Sequence, residues 1–179
     1  AEGGKARTCA PRGSGAARWG PTSHRVGFGA QPRLNLDVIR VRLTVLGSGS
    51  AGNATLLEHG DQRVLIDVGL SYREVARQLD SIAVSPASIG AVVITHAHGD
   101  HTRGAALFSR RHGVPVHATA ATRAVWSDAN VSSWRDLQCD TPTDICGFRF
   151  TPFEVSHDAA AATVAFKIGT PDGAIGFAT

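Results

Sequence analysis

The sequence predicts an α/β fold, and three observations carry that reading. Beyond residue 40, short strand-like stretches intermix with stretches of helical periodicity. Glycine and aspartate turns separate the first strands at hairpin spacing. The apolar run Ala91 to Ile94, continuous as in a strand buried on both faces, leads straight into a segment dense in histidine.

The elements follow in order. Arg42 to Leu46 alternates as a strand, and Gly47 to Gly52 is a glycine-serine loop. Ala54 to Glu58 reads as a second strand, His59-Gly60-Asp61 as a turn and Arg63 to Asp67 as a third strand, which together make a β-meander. Ser71 to Ile82 predicts a helix: Ser71 stands at the cap, Glu74 completes a capping box, and Val75, Leu79 and Ile82 recur at helical spacing. After the strand at Ala91 to Ile94, a helix is expected over Thr102 to Arg111, stopped by Gly113. Val114 to His117 is a short strand and Ala120 to Ser127 a helix. Gly147 to Val155 and Thr163 to Ile168 are strands, and Ala174 to Ala178 begins another.

The first 40 residues differ in kind. They hold seven of the 20 glycines and three of the eight prolines, without apolar periodicity, so they cannot bury enough surface to fold. We read residues 1–40 as a disordered or non-native extension, with Val38 or Val41 as the native start read from a valine codon, and residues 41–179 as the domain.

Charge follows the same division. The whole chain is +3, yet residues 1–40 carry seven Lys or Arg against two acidic residues, and residues 41–179 carry eleven against thirteen. The basic character therefore belongs to the extension and does not by itself mark the domain as a nucleic-acid binder. No apolar run approaches the ~20 residues of a membrane span, and the N-terminus lacks the apolar core of a signal peptide. A soluble, cytoplasmic protein without membrane contact is expected. Cys9, Cys139 and Cys146 make an odd count without a paired framework, and Cys139 and Cys146 lack the close spacing of a zinc knuckle, which fits free thiols in a reducing compartment.

Chemistry concentrates in Thr95-His96-Ala97-His98-Gly99-Asp100-His101. In extended chain His96 and His98 point the same way, toward one cation. Gly99 lets the backbone turn, and Asp100 and His101 open the next helix, facing a second cation position nearby. Imidazole with carboxylate suits Zn2+, with Mn2+ or iron as substitutes. Gly47-Ser48-Gly49-Ser50-Ala51-Gly52 satisfies a dinucleotide-binding fingerprint literally, but the seven residues before Gly60 read as a strand and leave no room for a crossover helix.

The H-x-H-x-D-H pattern resembles that of the metallo-β-lactamase superfamily, with Asp67 in Leu65-Ile66-Asp67-Val68-Gly69 similar to the carboxylate that opens its motif series. Leu46 to Asn53, Thr95 to Gly104 and Thr151 to Ala159 resemble the YycJ/WalJ-like group of bacterial hydrolases, over residues 42 to 179. The resemblance implies an αββα sandwich of which this chain is the N-terminal half only, each half supplying one sheet, so that the inner face of a poorly stable fragment lies uncovered. It implies His157 as the third histidine of a first metal site with His96 and His98, and Asp100 with His101 as part of a second. Asp67 then accepts the N–H of a ligating imidazole, and Asp158 is a weaker outer candidate. Ser48, Ser50 and Asn53 line the cleft. The family's bridging aspartate and last histidine fall beyond Thr179.

The activity implied is that of a two-zinc hydrolase in which metal-activated water attacks a phosphodiester, with Asp100 as the catalytic carboxylate and DNA or RNA as substrate. Arg103, Arg110 and Arg111 are the cationic residues nearest the motif. A small-molecule ester or thioester, as in glyoxalase II or lactonases, is the alternative substrate, and a non-catalytic metal-binding fragment is the other. Mass spectrometry of the native protein tests the reading of the extension: no peptides from residues 1–37 are expected, and finding them contradicts it.

Overall fold

The computed structural model describes residues 40–156 and 162–179. β1 (Arg42–Gly47), β2 (Ala54–His59) and β3 (Gln62–Val68) form the expected antiparallel meander. β4 (Ala91–Val93), β5 (Val116–Thr119) and β6 (Trp134–Leu137) extend it in parallel, giving a six-stranded sheet in the order β1-β2-β3-β4-β5-β6. A second, antiparallel sheet holds β7 (Thr143–Ile145), β8 (Phe148–Val155), β9 (Thr163–Thr170) and β10 (Gly173–Phe177) in the order β10-β9-β8-β7.

Side-chain alternation divides β3 between two cores. Leu65 joins Leu56, Val92, Ile94 and Val116 against Val75 and Leu79 of helix α1 (Tyr72–Ser81) and Phe108 of helix α3 (Ala105–His112). Val64 and Ile66 face the other way, with Leu57 and Val93, against Ile145, Phe148, Phe150, Phe166 and Ile168 of the second sheet. The inner face of the first sheet is therefore covered, contrary to the uncovered face expected from the sequence. Residues 143 to 177 already supply the covering sheet, and removal of those aromatic rings from water stabilises the contact.

Local chemistry explains most boundaries. The Ser71 hydroxyl accepts from the Glu74 amide at 3.3 Å while the Glu74 carboxylate accepts from the Ser71 amide at 3.1 Å, the reciprocal cap expected of this spacing. Ile82 is the C-cap rather than part of the buried stripe and is 37% exposed. The helix expected over Thr102 to Arg111 is two: α2 (Gly99–Thr102) and α3. The break falls at Gly104, whose amide bonds to the Val68 carbonyl at 2.8 Å and whose missing side chain lets the Leu70 carbonyl approach. Gly113 then ends α3 in the left-handed region at φ 67°. α4 (Ala120–Val125) stops two residues earlier than the sequence suggests.

β6 and β7 carry no readable signal. Trp134-Arg135-Asp136-Leu137 pairs only at the edge beside β5, and Thr143-Asp144-Ile145 is too short to show a period. Cys139 and Cys146 are free thiols, partly buried against the sheet–sheet core. No helix among the described residues is long and apolar enough to cross a membrane.

His117, at the end of the strand expected over Val114 to His117, is buried in β5, in register with Val93 of the sheet–sheet core and with Arg135. Its Nδ1 lacks a hydrogen-bond partner among the described residues. Burial, then the charge of Arg135, lowers the ring to about 4. Because the folded value lies below the ordinary value of about 6.5, stability present at neutral pH is lost as pH falls from about 6.5 to about 4. We predict that the stability of His117→Leu relative to the parent rises by about 3 kcal/mol between pH 7 and pH 4. Denaturant melts at the two pH values measure it, and a constant difference contradicts it.

Candidate metal centre

Because β3, β4 and β5 run parallel, the residues following each strand emerge at one sheet edge, the usual place for a site in such a sheet. Asp67 stands at the end of β3 in the left-handed region, φ 58°. Ala54 pairs with Val68 and Thr55 with Ile66, so Asp67 is the extra residue of a bulge. A bulge re-aims its side chain. Here the carboxylate turns beneath the segment that leaves β4 and is 1% exposed.

Three donors converge on it: the Thr95 amide at 2.9 Å on Oδ1, and the Thr95 hydroxyl and His101 Nδ1, each at 2.8 Å, on Oδ2. Burial pushes the Asp67 carboxyl up, and the bonds from His101 and Thr95 pull it part of the way back. Burial works to lower His101, but the hydrogen bond and charge of Asp67, with the charge of Asp100, outweigh it and hold the ring above the ordinary histidine value. A proton taken up at His101 Nε2 has Asp100 Oδ2, 3.5 Å away, as its partner.

This hub fixes the chemistry of two imidazoles. His101 donates through Nδ1 to Asp67, so its Nε2 carries the lone pair when the ring is neutral. The Thr95 hydroxyl gives its one proton to Asp67 and lies 3.0 Å from His96 Nδ1, so it accepts there and leaves the lone pair of that ring on Nε2. This role of Thr95 is not among those the motif itself indicates. Its signal was its place directly before His96.

The expected motif residues lie together. The His96 and His98 rings meet edge to face with centroids 4.8 Å apart, and His96 lies 4.0 Å from His101. His98 is the N-cap of α2, which puts Asp100 and His101 in its single turn. Asp100 is partly exposed, while His101 is buried.

The β1–β2 loop closes over this turn. The Asn53 amide donates to the Asp100 carbonyl and the Asn53 carbonyl accepts from the Gly69 amide, both at 2.7 Å. A side chain at Gly69 would collide with the Asp100 carbonyl, so only glycine permits the approach. Asn53 and Ser48 line a cleft of about 310 Å³ with Asp67, His101 and Phe177. Ser50 is exposed and is not among the lining residues. Arg103 donates to the Ala51 carbonyl at 3.2 Å and so sits at this loop, whereas Arg110 bonds Asn130 and Arg111 lies over the Tyr72 ring. His157 and Asp158 lie outside the described residues.

The donor types fit a borderline cation: imidazoles with tautomers fixed by Asp67 and Thr95, beside a carboxylate. Among the described residues, however, no three His, Cys, Asp or Glu side chains are arranged to hold one ion together.

Comparison with known proteins agrees with this architecture. The exodeoxyribonuclease WalJ of Streptococcus pneumoniae is 31% identical over 132 residues, covering 70% of this chain and 49% of that protein. The exodeoxyribonuclease YycJ of Bacillus anthracis is 24% identical over 135 residues, covering 67% and 47%. The chain thus spans about half the length of these curated relatives. The metallo-beta-lactamase fold protein YhfI of Bacillus subtilis superposes with a TM-score of 0.62 at 18% identity, over 76% of this chain and 61% of that one. The family model for the metallo-beta-lactamase superfamily matches residues 47–177, and the chain belongs to that superfamily.

Proposed function

We propose that the chain is the cation-binding part of a metal-dependent nuclease, hydrolysing phosphodiesters of DNA or RNA. The observation that carries the reading is the 2.8 Å hydrogen bond between His101 Nδ1 and buried Asp67, which leaves Nε2, beside Asp100, as the acceptor of the neutral ring. The nuclease names of the relatives support the substrate class.

His96 and His98, with His157, would hold one cation and Asp100 with His101 a second. Zn2+ suits this set, and Mn2+ or iron share its preferences. Such cations acidify water and stabilise negative charge developing at phosphorus. Asp67 would keep the His101 lone pair on Nε2, the nitrogen beside Asp100. Asp100, the more exposed carboxylate of the cluster, would orient the attacking water and take its proton. Arg103, at the loop beside the cleft, would meet a substrate phosphate.

One observation favours a small-molecule ester or thioester instead: residues 41–179 carry eleven basic against thirteen acidic residues, a poor balance for gripping a polyanion. Single-stranded DNA and a thioester, each offered to the Zn2+-loaded chain, separate the two readings. Release of nucleotides is expected, falling at least about 100-fold in His96→Ala and in Asp100→Ala. Hydrolysis surviving both substitutions, or confined to the thioester, overturns the nuclease reading. A Zn2+-loaded chain inert toward both supports the non-catalytic alternative.

A further inference from the structure

The second ring nitrogen of His101 is already engaged. Nδ1–H is held by Asp67 at 2.8 Å, so Nε2 of the neutral ring carries the lone pair, and it lies 3.0 Å from Asn53 Nδ2. The amide orientation is fixed independently: Asn53 Oδ1 accepts the Gly49 backbone N–H at 3.0 Å, which only an oxygen can do. That turns the NH2 group toward His101 Nε2 and toward Asp100 Oδ2 at 3.1 Å. An imidazole nitrogen has one lone pair. It cannot accept from Asn53 and ligate a cation together.

Resting on the reading of His101 and Asp100 as ligands, we infer that the Asn53 carboxamide is a positioning residue that keeps the second cation position closed. Its NH2 holds His101 Nε2 and Asp100 Oδ2 on one donor group and withdraws from both when a divalent cation enters.

The loop permits this exchange. The Asn53 backbone is pinned at both polar groups, to the Asp100 carbonyl and the Gly69 amide at 2.7 Å each, so its side chain can turn without moving the chain. Nδ2 also donates to the Gly49 carbonyl at 3.3 Å and to the Asp100 carbonyl at 3.4 Å, so the amide keeps acceptors when it leaves the imidazole and the carboxylate. The exchange lowers cation affinity by the free energy of the bonds given up, roughly tenfold for an amide bound to a carboxylate and an imidazole.

The test is a Zn2+ titration of the metal-free full chain, following the His101 ring nitrogens by long-range 1H–15N NMR, which reads the proton and the metal on each nitrogen directly. Asn53→Ala is expected to lower the Zn2+ concentration at which Nε2 coordinates by about tenfold. Asn53→Asp keeps the acceptor for Gly49 and exchanges the competing donor for a carboxylate, so at least as large a decrease is expected. An asparagine with a merely structural role would move the midpoint the other way. Unchanged or higher midpoints in both variants overturn the inference and leave the ligand reading standing. A parent chain whose His101 never coordinates Zn2+ overturns both.

Discussion

The site depends on one buried carboxylate. Asp67 gathers the end of β3, the exit of β4 and the turn of α2 onto two oxygen atoms, through the Thr95 amide, the Thr95 hydroxyl and His101 Nδ1. A buried carboxylate without partners is costly, whereas one that accepts several hydrogen bonds is held and holds its donors in turn. The end of β3 is separated from the other two by helix α1, and this acceptor is where they meet. Both imidazole tautomers follow from it, His101 directly and His96 through Thr95.

Placing that carboxylate requires an unusual backbone. A non-glycine residue in the left-handed region costs of order 1 kcal/mol, and aspartate tolerates it better than most. The bulge at Asp67 accepts this conformation and gains the inward direction of the side chain. The strain is offset by what surrounds it: Gly69 lets α2 approach, the Gly104 amide ties α3 to the Val68 carbonyl, and Asn53 ties the β1–β2 loop to Asp100. The elements around the site are thus joined by backbone hydrogen bonds, and the side chains are left for chemistry.

Much of this was legible in the sequence because it is local. The Ser71-Glu74 cap, the Gly113 stop, the meander of β1 to β3 and the grouping of His96, His98, Asp100 and His101 each follow from a few neighbouring residues. What was missed is set by distant partners. β6 exists because β5 offers it an edge, and His117 is buried because its register places it opposite Val93. The division of the expected helix at Gly104 depends on Val68, and the second sheet covers a face that residues 42 to 94 alone would leave open. Asn53 could be placed at the cleft from its loop, but its reach to Asp100 and His101 depends on the close approach at Gly69.

The central claim is that Asp67 dictates the protonation pattern of the site. The direct measurement is the tautomer of His101, read from its ring nitrogen shifts in the metal-free chain and in Asp67→Asn. The account predicts the Nδ1–H form in the parent. In the variant that form is lost, because the carboxamide no longer supplies a charged acceptor and its NH2 can turn toward Nδ1. A His101 ring that keeps the Nδ1–H form in Asp67→Asn, or lacks it in the parent, contradicts the account.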